Sequence, residues 1–109
     1  MSRVLDAEAL EKISKLPDLL VPWYLISCYA YYHLGTAILS DAFFDALAMQ
    51  FHENYDSLEH HHKHLIARDS ILVSGAFLKY PTIAKFSAQG LVKEVLSKEE
   101  FNARFLHDP

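Results

Sequence analysis

From Leu19 to Ser40 the chain carries no Asp, Glu, Lys or Arg. A run of that kind must be taken out of water, and it is long enough to cross a bilayer, which needs about 20 residues. Pro22, Ser27, four tyrosines, His33, Gly35 and Thr36 interrupt it, however. A helix buried on all sides and ending in a loop explains the pattern better than a membrane span. Pro22 suits the first helical residue, where its missing N–H is harmless, and Gly35 suits the left-handed position just past Leu34. A helix that is apolar nearly all round belongs at the centre of a bundle.

The remaining periodicity is helical. Asp6 is placed to cap a first helix to about Lys15, with Leu10 and Ile13 inward, before Leu16-Pro17 stops it. Ser40 is a good N-cap for a helix from Asp41 to about Asn54, with Phe44, Leu47, Ala48, Phe51 and Tyr55 on one face. Asp56 and Glu59 read as a capping box opening a short histidine-rich helix to Ile66 or Ala67. The run from Asp69 to Leu78 is compatible with a loop, a short strand or a frayed helix. Pro81 starts a helix through Ala88, Gly90 marks a break or kink, and Ser97 with Glu100 caps a last helix ending near Leu106. The expectation is an all-α fold, a compact bundle of five or six short helices with little or no sheet, in one domain over residues 1–109. Its core is expected to hold Leu25, Ile26, Tyr29, Phe44, Leu47, Phe51 and Leu65.

Composition narrows the function. A net charge of -4 leaves no basic excess for gripping duplex DNA, so direct nucleic-acid binding is not expected. The one cysteine, Cys28, excludes an intramolecular disulfide and a multi-cysteine zinc site, and reads as a small buried residue. The opening MSRVLDAEALEKIS has neither an apolar signal core nor the Arg-rich, acid-poor character of a transit peptide. A cytoplasmic location is expected.

Functional signal concentrates in YAYYHLGTAILSDAFFDAL, Tyr29 to Leu47. Asp41 in a first helical turn is favoured by the helix dipole, and this alone accounts for it. Asp45 lies one turn further on the same face, where a second like charge costs about 0.2–0.5 kcal/mol. The pair calls for a partner, a metal or a ligand. Across the Gly35 turn stand Tyr29, Tyr31 and Tyr32, whose faces can hold a planar ring while the carboxylates accept hydrogen bonds from a carboxamide and ribose hydroxyls.

These residues resemble the N-terminal helical domain of NAD-dependent DNA ligases, which captures the nicotinamide mononucleotide (NMN) half of NAD. There a tyrosine-rich helix end precedes a turn and an Asp-x-x-Tyr-Asp-x-Leu helix start. The match covers about nineteen of the 109 residues, within a ligase-like region of roughly 20–66. The resemblance implies nucleotide-binding roles for Tyr31, Tyr32, Asp41, Phe44 and Asp45: Tyr31 on the nicotinamide ring, Asp41 at its carboxamide, Asp45 at the ribose. Phe44 stands where the family has tyrosine, keeping the ring without the hydroxyl, and Tyr32 stands where many members have a histidine. No Lys-x-Asp-Gly adenylation motif is present, so the chain is not expected to be an enzyme by itself. A free-standing relative of this domain is the kind of protein expected in a phage or mobile-element genome. The alternative is a helical interaction or self-association module that kept the scaffold and lost the nucleotide.

His60, His61, His62 and His64 form the other cluster. On a helix His60 and His64 would share a face, a spacing that can clasp one ion, but two ligands are too few for a closed site and no metal is expected. His61 and His62 would continue the apolar stripe of Leu58, Leu65 and Ile66, leaving His60 and His64 solvated.

Overall fold

The structure, a computed structural model, describes residues 4–71 and 78–96. Four α-helices are present among them: α1 (Asp6–Lys15), α2 (Leu20–His33), α3 (Asp41–Glu53) and α4 (Thr82–Val95), joined in part by 3-10 turns at Pro17–Leu19, Tyr55–Ser57, Lys63–Leu65 and Arg68–Ser70. The described residues contain no strand. No helix among them is long and apolar enough to cross a membrane.

The charge-free run becomes α2, the centre of the fold, packed on both α3 and α4. Leu20, Val21, Trp23, Tyr24, Leu25, Cys28 and Ala30 are all buried. They meet Leu47, Ala48 and Phe51 of α3 and Ala84, Ala88, Val92 and Val95 of α4 in one core. Leu25, Leu47 and Phe51 lie in that core as expected, with Ile26, Tyr29, Phe44 and Leu65 packed against it, half-buried. Tyr24 is the keystone: its ring stacks on Phe44 at 5.7 Å and meets Phe51 edge-on at 5.3 Å. Its hydroxyl donates to the Ile71 carbonyl at 3.0 Å. The hydroxyl is thereby satisfied in a site where burial drives its pKa strongly upward.

Helix ends follow local chemistry in several places. Ser40 caps α3, its Oγ accepting the Phe43 N–H at 3.2 Å. Gly35 takes φ +66° beyond the end of α2, and the following Thr36 N–H returns to the Ala30 carbonyl at 2.9 Å.

The structure also corrects the sequence reading. Asp6 is the first helical residue of α1 and does not cap it; its carboxylate is taken by Ser40. Leu10 is 60% exposed, and Ala9 takes the inward place. Helix α2 begins at Leu20, fed directly from the Pro17–Leu19 turn, so Pro22 lies in its first turn and not at its start. Helix α4 starts after Pro81 but runs through Gly90 without a break. The expected five or six helices are four among the described residues. The Ser97 cap and its helix lie outside them, as does most of the Asp69 to Leu78 run.

The histidine-rich helix is absent. Leu58 is extended (φ -81°, ψ 134°), and the Glu59 N–H, the donor a capping box needs near its start, goes to Asp18 Oδ1 at 2.9 Å. Tyr55 then ties the following residues down: its hydroxyl donates to the Ile66 carbonyl at 2.6 Å, and Lys63 Nζ donates to the Tyr55 carbonyl at 2.9 Å while lying 4.8 Å from its ring. Side chains distant in sequence thus hold this segment in an irregular path.

Candidate functional site

Where α2 ends, the chain turns at Gly35, passes through Ala37–Leu39 and enters α3. The turn sets the last residues of α2 against the first two turns of α3, and a cleft of about 620 Å³ lies between them. Tyr31, Tyr32, Asp41, Phe44 and Asp45 all line it. The five positions singled out in the sequence are thus brought to one place.

Each is held by a different part of the fold. Tyr31 and Tyr32 are exposed on the final turn of α2, their rings in edge-to-face contact at 5.0 Å and 89°. Phe44 is fixed from behind by Tyr24. Asp41 and Asp45 are exposed, at the first and fifth positions of α3. Tyr29 goes elsewhere: it stacks on His33 at 5.0 Å and meets Tyr80 at 5.1 Å, so it belongs to the contact with the segment before α4. It therefore supplies no face to the cleft, correcting its expected place beside Tyr31 and Tyr32.

The entry to α3 is braced from α1. Asp6 accepts from the Ser40 backbone N–H at 2.9 Å and from the Ser40 hydroxyl at 2.6 Å. One residue earlier in α1's approach, the Leu5 N–H donates to the Ile38 carbonyl at 2.7 Å. The loop carrying Ile38 and Leu39, both buried cleft residues, is thereby pinned at both sides of its path.

Sequence reasoning missed the inner wall, formed by Ser27, Cys28, Ile38, Leu39, Ala48 and Ile71. Ser27 is 4% exposed and its Oγ has no hydrogen-bond partner among the described residues. Buried hydroxyls are rarely left in that condition, since the desolvation penalty is then uncompensated. Its signal was present in the sequence as a polar atom inside a run that is otherwise required to be buried. Cys28 is buried beside it, and burial pushes the thiol up to about 12, so near neutral pH it is protonated and a poor nucleophile. Among the described residues no Lys or Arg lines the cleft. The chemistry on offer is aromatic faces with two phenolic hydroxyls, two carboxylates as acceptors, the buried Ser27 hydroxyl and an apolar floor.

The histidines form a separate cluster outside the cleft. His60 and His62 are half-buried and His61 is exposed, the reverse of the expectation for His60 and His61. The His62 N–H donates to His60 Nδ1 at 3.1 Å. Burial first, then the neighbouring imidazoles, hold His60 and His62 below the ordinary histidine pKa, while Asp18 pulls His60 the other way.

Comparison with protein-family models, with curated proteins and with solved structures gave no significant match to the chain.

Proposed function

We propose that the chain is a non-catalytic helical module that binds a nicotinamide nucleotide, NMN or NAD, in the cleft between the end of α2 and the start of α3. The observation that carries this reading is the convergence of Tyr31, Tyr32, Asp41, Phe44 and Asp45 on one cavity. A volume near 620 Å³ falls within the usual range for small-molecule sites, roughly 300–1,000 Å³.

The electrostatics favour a particular orientation. An oxidised nicotinamide ring is cationic and its ribose carries hydroxyl donors, both matched to a wall with two carboxylates. A phosphate has no cation to meet among the described lining residues, so it points to solvent and the ring enters first. Tyr31, 57% exposed, is free to close over the ring. The unpartnered Ser27 hydroxyl on the inner wall is available to the carboxamide. A protonated Cys28 adds no nucleophile, in keeping with binding and not turnover.

Calorimetric titration with NMN, NAD and AMP tests this. Saturable heat with NMN or NAD, absent with AMP and weakened in an Asp45→Asn variant, is expected. Absence of both heat and thermal shift with millimolar NMN and NAD would end the nucleotide reading.

A second reading, a protein-interaction or self-association module, has its own observation. Ile83 and Phe86, three apart on α4, are 66% and 68% exposed. An Ile83→Ser, Phe86→Ser variant would then lower the mass measured by light scattering if copies associate through this face.

A further inference from the structure

His60, His61 and His62 present three imidazoles at one point of the surface, away from the cleft. Their ligand nitrogens all lie within 4.8 Å of one another, and the His61 and His62 ring centroids are 3.9 Å apart. The helical spacing that would pair His60 with His64 does not exist here, because the segment is irregular between Leu58 and the Lys63–Leu65 turn. Its loss brings together a different trio of consecutive residues.

A carboxylate lies against the backbone of Glu59, the residue before them. Asp18, in the Pro17–Leu19 turn, accepts the Glu59 N–H through Oδ1 at 2.9 Å, and its charge acts on the His60 ring. Asp18 precedes Glu59 by 41 positions, so the four donors come from two segments that only the fold brings together.

We infer that His60, His61 and His62, with Asp18 as fourth ligand, form an open binding site for a divalent late transition-metal ion, zinc being the reference case. Imidazole nitrogen and carboxylate oxygen are the donor types such ions take. Tetrahedral zinc with Zn–N bonds of about 2.0–2.1 Å needs its nitrogens roughly 3.3–3.5 Å apart. The widest present separation must therefore shorten, and rotation of the exposed and half-buried rings is the movement that shortens it. One hydrogen bond is exchanged: if His60 binds through Nδ1, the His62 N–H loses its acceptor, and if through Nε2, Nδ1 must carry the proton. In either case the His62 N–H can turn to water. Bound metal ties the turn between α1 and α2 to the segment that follows α3.

The test uses the full chain, free of any affinity tag, stripped with EDTA and titrated with zinc by calorimetry and by competition with a chromogenic chelator. One equivalent bound with a rise in thermal midpoint is expected. His61→Ala, at an exposed position, is expected to weaken zinc by about tenfold or more, and Asp18→Asn, which keeps an acceptor for the Glu59 N–H, severalfold. His64→Ala is expected to leave affinity unchanged. Failure to bind a stoichiometric equivalent, or unaltered affinity in His61→Ala, overturns the site. An equal loss in His64→Ala overturns the ligand set.

Discussion

The Asp6 carboxylate, on the first residue of α1, holds both the backbone N–H and the hydroxyl of Ser40, whose oxygen in turn accepts the Phe43 N–H and caps α3. Thirty-four positions separate the two residues, and no local rule connects them. Through this relay α1 sets the direction in which α3 begins, and with it the position of Asp41 in the cleft. Hydrogen bonds to a charged group contribute about 1.5–3 kcal/mol. Asp6→Ala is expected to destabilise the protein by about 1–3 kcal/mol in urea denaturation, and Asp6→Asn by less, since its amide oxygen still accepts from the Ser40 N–H.

The burial of Leu47 at 3% exposure gives a second test. It lies in the common core near the middle of α3, and its truncation leaves a void there. Leu47→Ala should lower stability by about 2–5 kcal/mol, measured from the denaturation midpoint with an unchanged slope. A loss under about 0.5 kcal/mol, typical of surface positions, contradicts the packing described.

Two glycines are expected to respond in opposite directions. Gly35 holds φ +66°, where an L side chain is strained by about 1–2 kcal/mol, so Gly35→Ala destabilises even though none of the described residues lies within 4 Å of the added carbon. Gly90 also faces open space, but inside a continuous α4 with no positive φ. Gly90→Ala is expected to stabilise by about 0.4–1 kcal/mol. Thermal melts of the two variants decide it.

How much of this was legible depends on whether the deciding interaction was local. The central placement of α2, the Ser40 cap and the Gly35 turn each follow from residues within a few positions of one another, and all three are present. The stripe of Leu47, Ala48 and Phe51 was equally readable from its spacing. The histidine segment was not: Asp56 and Glu59 satisfy the capping pattern, but Asp18 takes the Glu59 N–H that the pattern needs, and Tyr55 anchors the segment at the Ile66 carbonyl. Asp6 misled for the same reason, because its partner lies in another helix. Tyr29 reads like its neighbours in sequence, yet its ring packs on Tyr80, 51 positions later, and not into the cleft. Gly90 misled differently, since helix propensity is a weak preference that packing of Ala88, Val92 and Val95 overrides.

Cys28 supplies a test of pH dependence. Its thiol is raised from the ordinary value of 9.0 to about 12 by burial, partly offset by its hydrogen bond with Tyr24. Because the folded pKa exceeds the unfolded one, the stability linked to this group is fully present below pH 9.0 and is lost as pH rises toward 12. Iodoacetamide should react slowly with the folded protein at pH 8, and the rate should jump on addition of denaturant. Alkylation as rapid in native buffer as in denaturant would show that the thiol is neither buried nor raised.

The last prediction follows from the charge of the cleft. Asp41 and Asp45 line it, and no lysine or arginine among the described residues does. If the nicotinamide ring enters first and the phosphate faces water, removing the phosphate should cost nothing, and it relieves repulsion between the phosphate and the two carboxylates. Nicotinamide riboside is therefore expected to bind at least as tightly as NMN, with the advantage shrinking as salt screens the exposed charges. Neutralising the ring-facing charge should act in the opposite sense. In Asp41→Asn and Asp45→Asn variants both ligands should weaken, and the gap between them should narrow because the repulsion has been reduced. Titrations of the three proteins at low and high salt give all the terms needed. NMN binding well above the riboside, or tightening on loss of either aspartate, would mean that a cation meets the phosphate and that the ligand lies the other way round.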